Sequence, residues 1–237
     1  MKDVSEWAHE FDLAYQNINS YQAPGLNAYE KSVILTDAQD EIVIAIADGT
    51  LKPFESTEES TDFLATLVKQ SDPLSPETGG SLPHIVDNSV VFKLPEDLLF
   101  RTYEKCTLSS VPGCSSNIEA VVVPVTQDEY WRTSRNPFKG ANSRRVLRLS
   151  YACSSEDEGQ ITKDTYSELV GPKGRTIVDY TVRYISQPEP IILSGITGDV
   201  SIHGKPCSEP KTCMLPEFLH KTILNRAVQI AKALWAS

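Results

Sequence analysis

The chain has 237 residues, 40% of them hydrophobic and 23% charged, with a formal net charge of −10. Its length lies between one and two typical domains and its apolar content suffices for a packed core, which excludes wholesale disorder. The acidity is uneven and counts against a general nucleic-acid binder: residues 1–100 hold five Lys, no Arg and 18 Asp or Glu, whereas residues 101–237 hold 17 Lys or Arg against 14 acids.

Asp3 can cap a first helix, with Glu6 as its capping-box partner, and Val4, Trp7, Ala8, Phe11, Ala14, Tyr15 and Ile18 follow at helical spacing. Asn27 with Glu30 repeats the box before a second helix, whose inner face holds Val33, Ile34, Ala38, Ile42 and Ile46 and whose stop is Gly49. Ser56 or Thr57 with Glu59 opens a third, burying Phe63, Leu64, Leu67 and Val68. The Pro/Gly/Ser-rich run DPLSPETGGSLP (72–83) marks a boundary. Beyond it, strands are expected over 89–93, 119–125, 144–151, 165–170 and 176–185. Two short helices are expected among them, one capped by Thr126 and Glu129 and one opening at Leu94-Pro95-Glu96-Asp97. The chain ends in a helix after Pro216, with an apolar stripe of Leu215, Phe218, Leu219, Ile223, Leu224, Ala227, Val228, Ala231 and Leu234.

These elements imply an α+β fold in three parts: an N-terminal helical region (1–71), a β-rich module with short helices (84–203), and a C-terminal helix (213–237) packing on the N-terminal helices. The five cysteines are odd in number and sparse, which fits a reducing compartment. The start MKDVSEWAHEFD is polar, unlike a signal peptide, and no run approaches the ~20 apolar residues of a membrane span. Synthesis in a cytoplasm and no membrane partner are therefore expected.

No catalytic signature stands out. His203, Cys207, Cys213 and His220 lack the paired spacing of a zinc site, so buried or incidental thiols are expected and no metal. GPKGRT (171–176) reads as a turn between strands rather than a phosphate loop, and SSEDEGQ (154–160) as a polar hairpin tip rather than a calcium loop. There is no GxSxG elbow. No cofactor is expected.

Two stretches point to contacts. YWRTSRNPFKGANSRRVLRLSY (130–151) carries Arg132, Arg135, Lys139, Arg144, Arg145 and Arg148 and no acid. On a strand, Arg144, Val146, Arg148 and Ser150 share one face, read as mostly polar and pointing away from the core. Arg132, Arg135, Lys139, Arg144 and Arg148 thus form a candidate docking surface, for an acidic protein face in preference to nucleic acid. The second stretch is YTVRYISQPEPIIL (180–193). Pro188 and Pro190 cannot donate to a sheet, so QPEP should turn the chain out of its ladder and leave Ile191, Ile192 and Leu193 to pack on the C-terminal helix or on a neighbouring subunit.

Six stretches in order, APGLNAYEKSVILTDAQDEIV, FESTEESTDFLATLV, FKLPEDLLFRTYEKCTL, PVTQDEYWRTSRNPFKG, VRYISQPEPIIL and CMLPEFLHKTILNRAVQIAKA, span nearly the whole chain. Together they resemble the ring and neck structural proteins of tailed phages, particularly crAss-like gut phages. The resemblance implies a virion protein made in the bacterial host cytoplasm. It would form a homo-oligomeric ring, expected to be twelve-fold, between portal and tail. Its partners would be itself, the portal protein and other neck or tail ring proteins, with DNA passing through the channel without sequence-specific binding. No catalytic motif travels with the group. The alternatives are another virion structural component with the same motifs, or a small hydrolase-type enzyme with a cleft at the helix–sheet junction.

Overall fold

The computed structural model describes residues 3–16, 25–51, 60–77, 86, 89–110, 117–157, 160–197 and 200–236. The expected cap at Ser56, Thr57 and Glu59 lies outside the described residues, as do residues 78–83 of the 72–83 run and residues 111–116. The fold is α+β, with helices from both ends of the chain and a large curled β-sheet from its middle. It divides into a helical unit, Met1–Val68 with Gln187–Ser237, and a sheet unit, Lys69–Ser186. Segment 187–203, expected in the β-rich module, therefore belongs to the helical unit.

In the helical unit, α1 (Val4–Gln16) buries Trp7, Phe11 and Tyr15. Glu6 Oε2 accepts the Asp3 backbone N–H at 3.1 Å, one half of the expected capping box. α2 (Ala28–Ala47) carries the complete box: Asn27 Oδ1 accepts Glu30 N–H and Glu30 Oε2 accepts Asn27 N–H, both at 2.8 Å. Gly49, at φ +72°, supplies the left-handed residue that ends it. Ser60–Leu67 is a 3₁₀ helix. Two short strands, β8 (Ser201–Ile202) and β9 (Lys205–Pro206), form a hairpin around His203 and Gly204. Both loop residues have positive φ, at 49° and 76°, as a type I′ turn demands. The last helix (Glu217–Ala236, α4) packs against α1 and α2, burying Leu219, Ile223, Leu224, Ala227, Val228 and Ala231. Phe218 and Leu234, expected in the same stripe, are exposed, although Phe218 meets the Phe63 ring edge-on at 5.7 Å.

The QPEPIIL stretch lies along α2 as an extended strap. Ile191 N–H donates to Thr36 Oγ1 (3.1 Å), whose hydroxyl donates on to Ser32 O (2.8 Å). One turn earlier in the helix, Leu193 N–H donates to Ser32 Oγ (3.0 Å), which donates to Ala28 O (2.8 Å). Gln39 Nε2 donates to Glu189 O at 2.9 Å. The two elements match in pitch, because four helical residues rise ~6 Å and two extended residues advance ~6.5 Å. Ile192, facing the other way, exchanges both backbone bonds with Lys211 at 2.9 Å.

The sheet unit holds seven strands in the order β1-β7-β3-β4-β5-β6-β2. They are β1 (Val68–Gln70), β2 (Ser89–Lys93), β3 (Leu98–Leu108), β4 (Ile118–Pro124), β5 (Arg145–Asp157), β6 (Gln160–Val170) and β7 (Ile177–Ser186). Segment 71–77 ties the two ends of this order together. Leu74 exchanges backbone bonds with Tyr180 of β7, and Glu77 N–H then donates to Val91 O of β2. The curl encloses Phe92, Leu108, Val146, Leu169, Tyr180 and Val182. Two expectations change. Residues 94–97 form a turn between β2 and β3 rather than a helix. The short helix α3 spans Tyr130–Ser134 and opens without a side-chain cap, because Thr126 bonds Asp128 instead. GPKGRT is a turn as expected, and Gly174 at φ +83° makes it.

Candidate docking surface

β4 and β5 pair in parallel, Val121 with Arg145 through Pro124 with Arg148. Parallel neighbours require a long crossover, and segment 125–144 is that crossover. Its anchor is Tyr130, buried with Leu147, Leu149 and Val170 in a second small core with Val125 and Ala141 against it. Burial, chiefly, pushes the Tyr130 phenol above its ordinary pKa. Gly140 permits the tight return. A Cβ there would lie 3.0 Å from Asn136 O and 3.1 Å from Ser134 O, and its N–H donates to Asn136 O at 2.7 Å. Arg145 Nη1 donates to Phe138 O at 2.8 Å, and Asn142 Oδ1 accepts Arg144 N–H at 2.9 Å.

With Tyr130 turned in, its neighbours turn out. Trp131 is 66% exposed and Phe138 85%. Arg132, Arg135, Lys139 and Arg144 are all exposed beside them. The Arg135 guanidinium lies 5.6 Å from the Trp131 ring, and Arg132 makes a loose, solvent-exposed contact with Glu129 at 3.7 Å. The crossover thus presents four cations and two large aromatic rings. Rings of this kind supply contact area at low entropic cost, and arginine is enriched at protein interfaces.

The structure separates the remaining candidates from this surface. Arg148 is 8% exposed, and Val146 beside it is fully buried inside the curl. The expectation of an outward polar face is therefore corrected: β5 is covered on both faces, by the interior on one and by the crossover on the other. Ile191, Ile192 and Leu193 are 0–2% exposed, buried within the helical unit. Glu104 and Ser150, which meet the Arg148 guanidinium, carry no signal in the sequence, because an inward Glu on a charged strand leaves no mark in the hydropathy pattern.

Other candidates have structural explanations. His203 lies between Asp37 (3.2 Å) and Asp40 (3.1 Å) of α2. Burial, first of all, raises the Asp40 pKa, against the lowering influence of His203. His220 Nε2 donates to Leu215 O at 2.9 Å, with its ring 5.1 Å from that of Trp7. Cys207 and Cys213 are buried, and burial pushes the Cys213 thiol up to about 11. Among the described residues no three His, Cys, Asp or Glu side chains gather as a metal site, and no helix is long and apolar enough to cross a membrane.

Charge divides with the units. The helical unit holds eight Lys or Arg against 17 Asp or Glu, a formal −9, and the sheet unit 14 against 15, a formal −1. The family model described as "Phage tail ring protein 3/4", of crAss-type phages, matches residues 2–236. This chain belongs to that family. It is 39% identical over 211 residues to "Ring protein 3" of Bacteroides phage crAss001, covering 87% of this chain and 84% of the relative. It is 33% identical over 241 aligned positions to "Ring protein 4/5" of the same phage, covering 98% and 92%. The chain is a structural ring protein of a crAss-like phage, not an enzyme.

Proposed function

We propose that this ring protein assembles head to tail through the crossover of its sheet unit, which meets the acidic helical unit of the next copy. A contact between two different surfaces of identical subunits is heterologous, and such contacts close into rings when the rotation permits. Twelve copies would form the ring, placed between portal and tail with other ring proteins as axial neighbours. DNA would pass through the channel without sequence-specific contacts, past a surface whose negative charge repels it. The protein would be made in the host cytoplasm and act in the virion.

The carrying observation is the partition of charge: four exposed cations on the crossover of a nearly neutral unit, and −9 on the other unit. A second reading rests on the same cations, which flank exposed Trp131 and Phe138 and could bind the DNA backbone. Single-particle imaging of virions tests position and symmetry together. A twelve-fold ring with 125–144 at each subunit boundary is expected. A ring elsewhere in the virion would overturn the placement, and a crossover pointing into the channel would favour the DNA contact.

A further inference from the structure

The interior of the curled sheet is apolar except around Arg148. That side chain approaches Glu104 Oε2 with Nε at 3.1 Å and donates from Nη1 to Ser150 Oγ at 2.9 Å. The same Glu104 oxygen accepts the Tyr180 hydroxyl at 2.5 Å. Arg101 donates to the same Ser150 Oγ at 3.3 Å, and its Nε is buried without an acceptor among the described residues. Burial first, then the neighbouring Arg148 charge, holds the Arg101 pKa below its ordinary value. Within this buried cluster Arg148 pairs directly with Glu104, and Arg101 feels that carboxylate only at longer range, so the two guanidiniums carry one positive charge more than Glu104 offsets. A cleft of about 540 Å³ opens onto Arg148 and Ser150, walled by 124–127, with exposed Glu129 in its lining.

We infer that this cleft is an oxyanion subsite that takes one carboxylate side chain from the acid-rich helical unit of a second copy. The inference rests on the ring reading above. A single surplus positive charge matches a monoanion, and a charge-assisted bond to a guanidinium is strongest where burial lowers the dielectric. Glu129 in the lining opposes a polyanion such as a nucleic-acid strand. Ser150 is exposed and holds both arginine heads in place for the incoming group. The subsite would add a specific, deep contact to the diffuse charge of the crossover.

Acetate is the probe, compared with chloride at equal ionic strength, on the full chain before and during assembly. Acetate should raise the thermal midpoint of the unassembled chain saturably, by about 2–4 °C beyond chloride. It should also raise the protein concentration at which rings appear. Arg101→Leu and Ser150→Ala should each remove most of the thermal increment, and Ser150→Ala keeps the test intact if Arg101→Leu fails to fold. Equal shifts in acetate and chloride would overturn the subsite. An acetate-specific thermal shift with no change in ring onset would overturn the second copy as source and leave a free small carboxylate. A chain that never forms rings would refute the ring reading, while the thermal comparison still decides the subsite.

Discussion

The helical and sheet units both bury polar groups, and they do so with different chemistry. In the helical unit the buried polar residues that hold the 187–193 strap are neutral: Ser32, Thr36 and Gln39. Each satisfies a backbone group that Pro188 and Pro190 have turned out of the ladder, and the acids remain near the surface. In the sheet unit Glu104, Arg148 and Glu168 are themselves buried. Neutral relays hold a strap at low desolvation cost, whereas buried charges demand near-complete pairing. The contrast leaves the acids of the helical unit near its surface and places buried charges inside the sheet unit.

The most severe test of that contrast is Arg148→Ala. Removing one partner of a buried pair should destabilise the sheet unit by about 3–5 kcal/mol, because Glu104 keeps the Tyr180 hydroxyl but loses its direct charge partner. Arg144→Ala, four residues earlier but exposed, should change stability by no more than about 0.5 kcal/mol. Chemical denaturation of both variants decides, and equal small losses would show that Arg148 is not buried as described. In the helical unit, Leu224→Ala should cost about 2–5 kcal/mol, since Leu224 is 7% exposed on the face of α4 turned to the core. Thr36→Val should cost about 1–3 kcal/mol by orphaning Ile191 N–H, and faster hydrogen exchange at Ile191 would locate the damage in the strap. The smallest effect concerns acid. Burial raises the Asp97 pKa, but hydrogen bonds from Lys69 and Tyr184 outweigh it and leave the net value below its ordinary 3.8. Asp97 therefore contributes stability above that value that is lost as the pH falls through its lower folded pKa. Asp97→Asn should flatten the acid limb of a stability–pH curve slightly, and an unchanged limb would show that the pair is screened by solvent.

Where local chemistry dominates, the structure is legible in the sequence. α2 follows from Asn27, Glu30 and Gly49, and the spacing of its apolar residues marks the core. β3 is not legible, because register shifts at Leu98/Phe100, Arg101/Tyr103 and Thr107/Leu108 break its alternation and turn Glu104 inward. The crossover's charge is visible in the sequence, but its cause is not: the parallel pairing of β4 and β5 is a tertiary fact. Parity on β5 is legible too, with Arg148 sharing a face with Val146. What parity cannot convey is that both faces of that strand are covered. The partners of Ile191 and Leu193 lie more than 150 positions away in sequence, and no local pattern identifies Thr36 and Ser32 as their acceptors.

The measurement that bears most directly on assembly by charge partition is the solution mass of Arg135→Glu/Lys139→Glu/Arg144→Glu beside that of the unaltered chain. All three side chains are exposed on the crossover, so the variant should fold with an unchanged melting temperature. Individual surface pairs are worth only about 0–1 kcal/mol, but three reversals act together. Charge partition predicts that the unaltered chain forms a closed ring while the variant remains a folded monomer, with the difference greatest at low salt. Ring formation by the variant at the same concentration would contradict it.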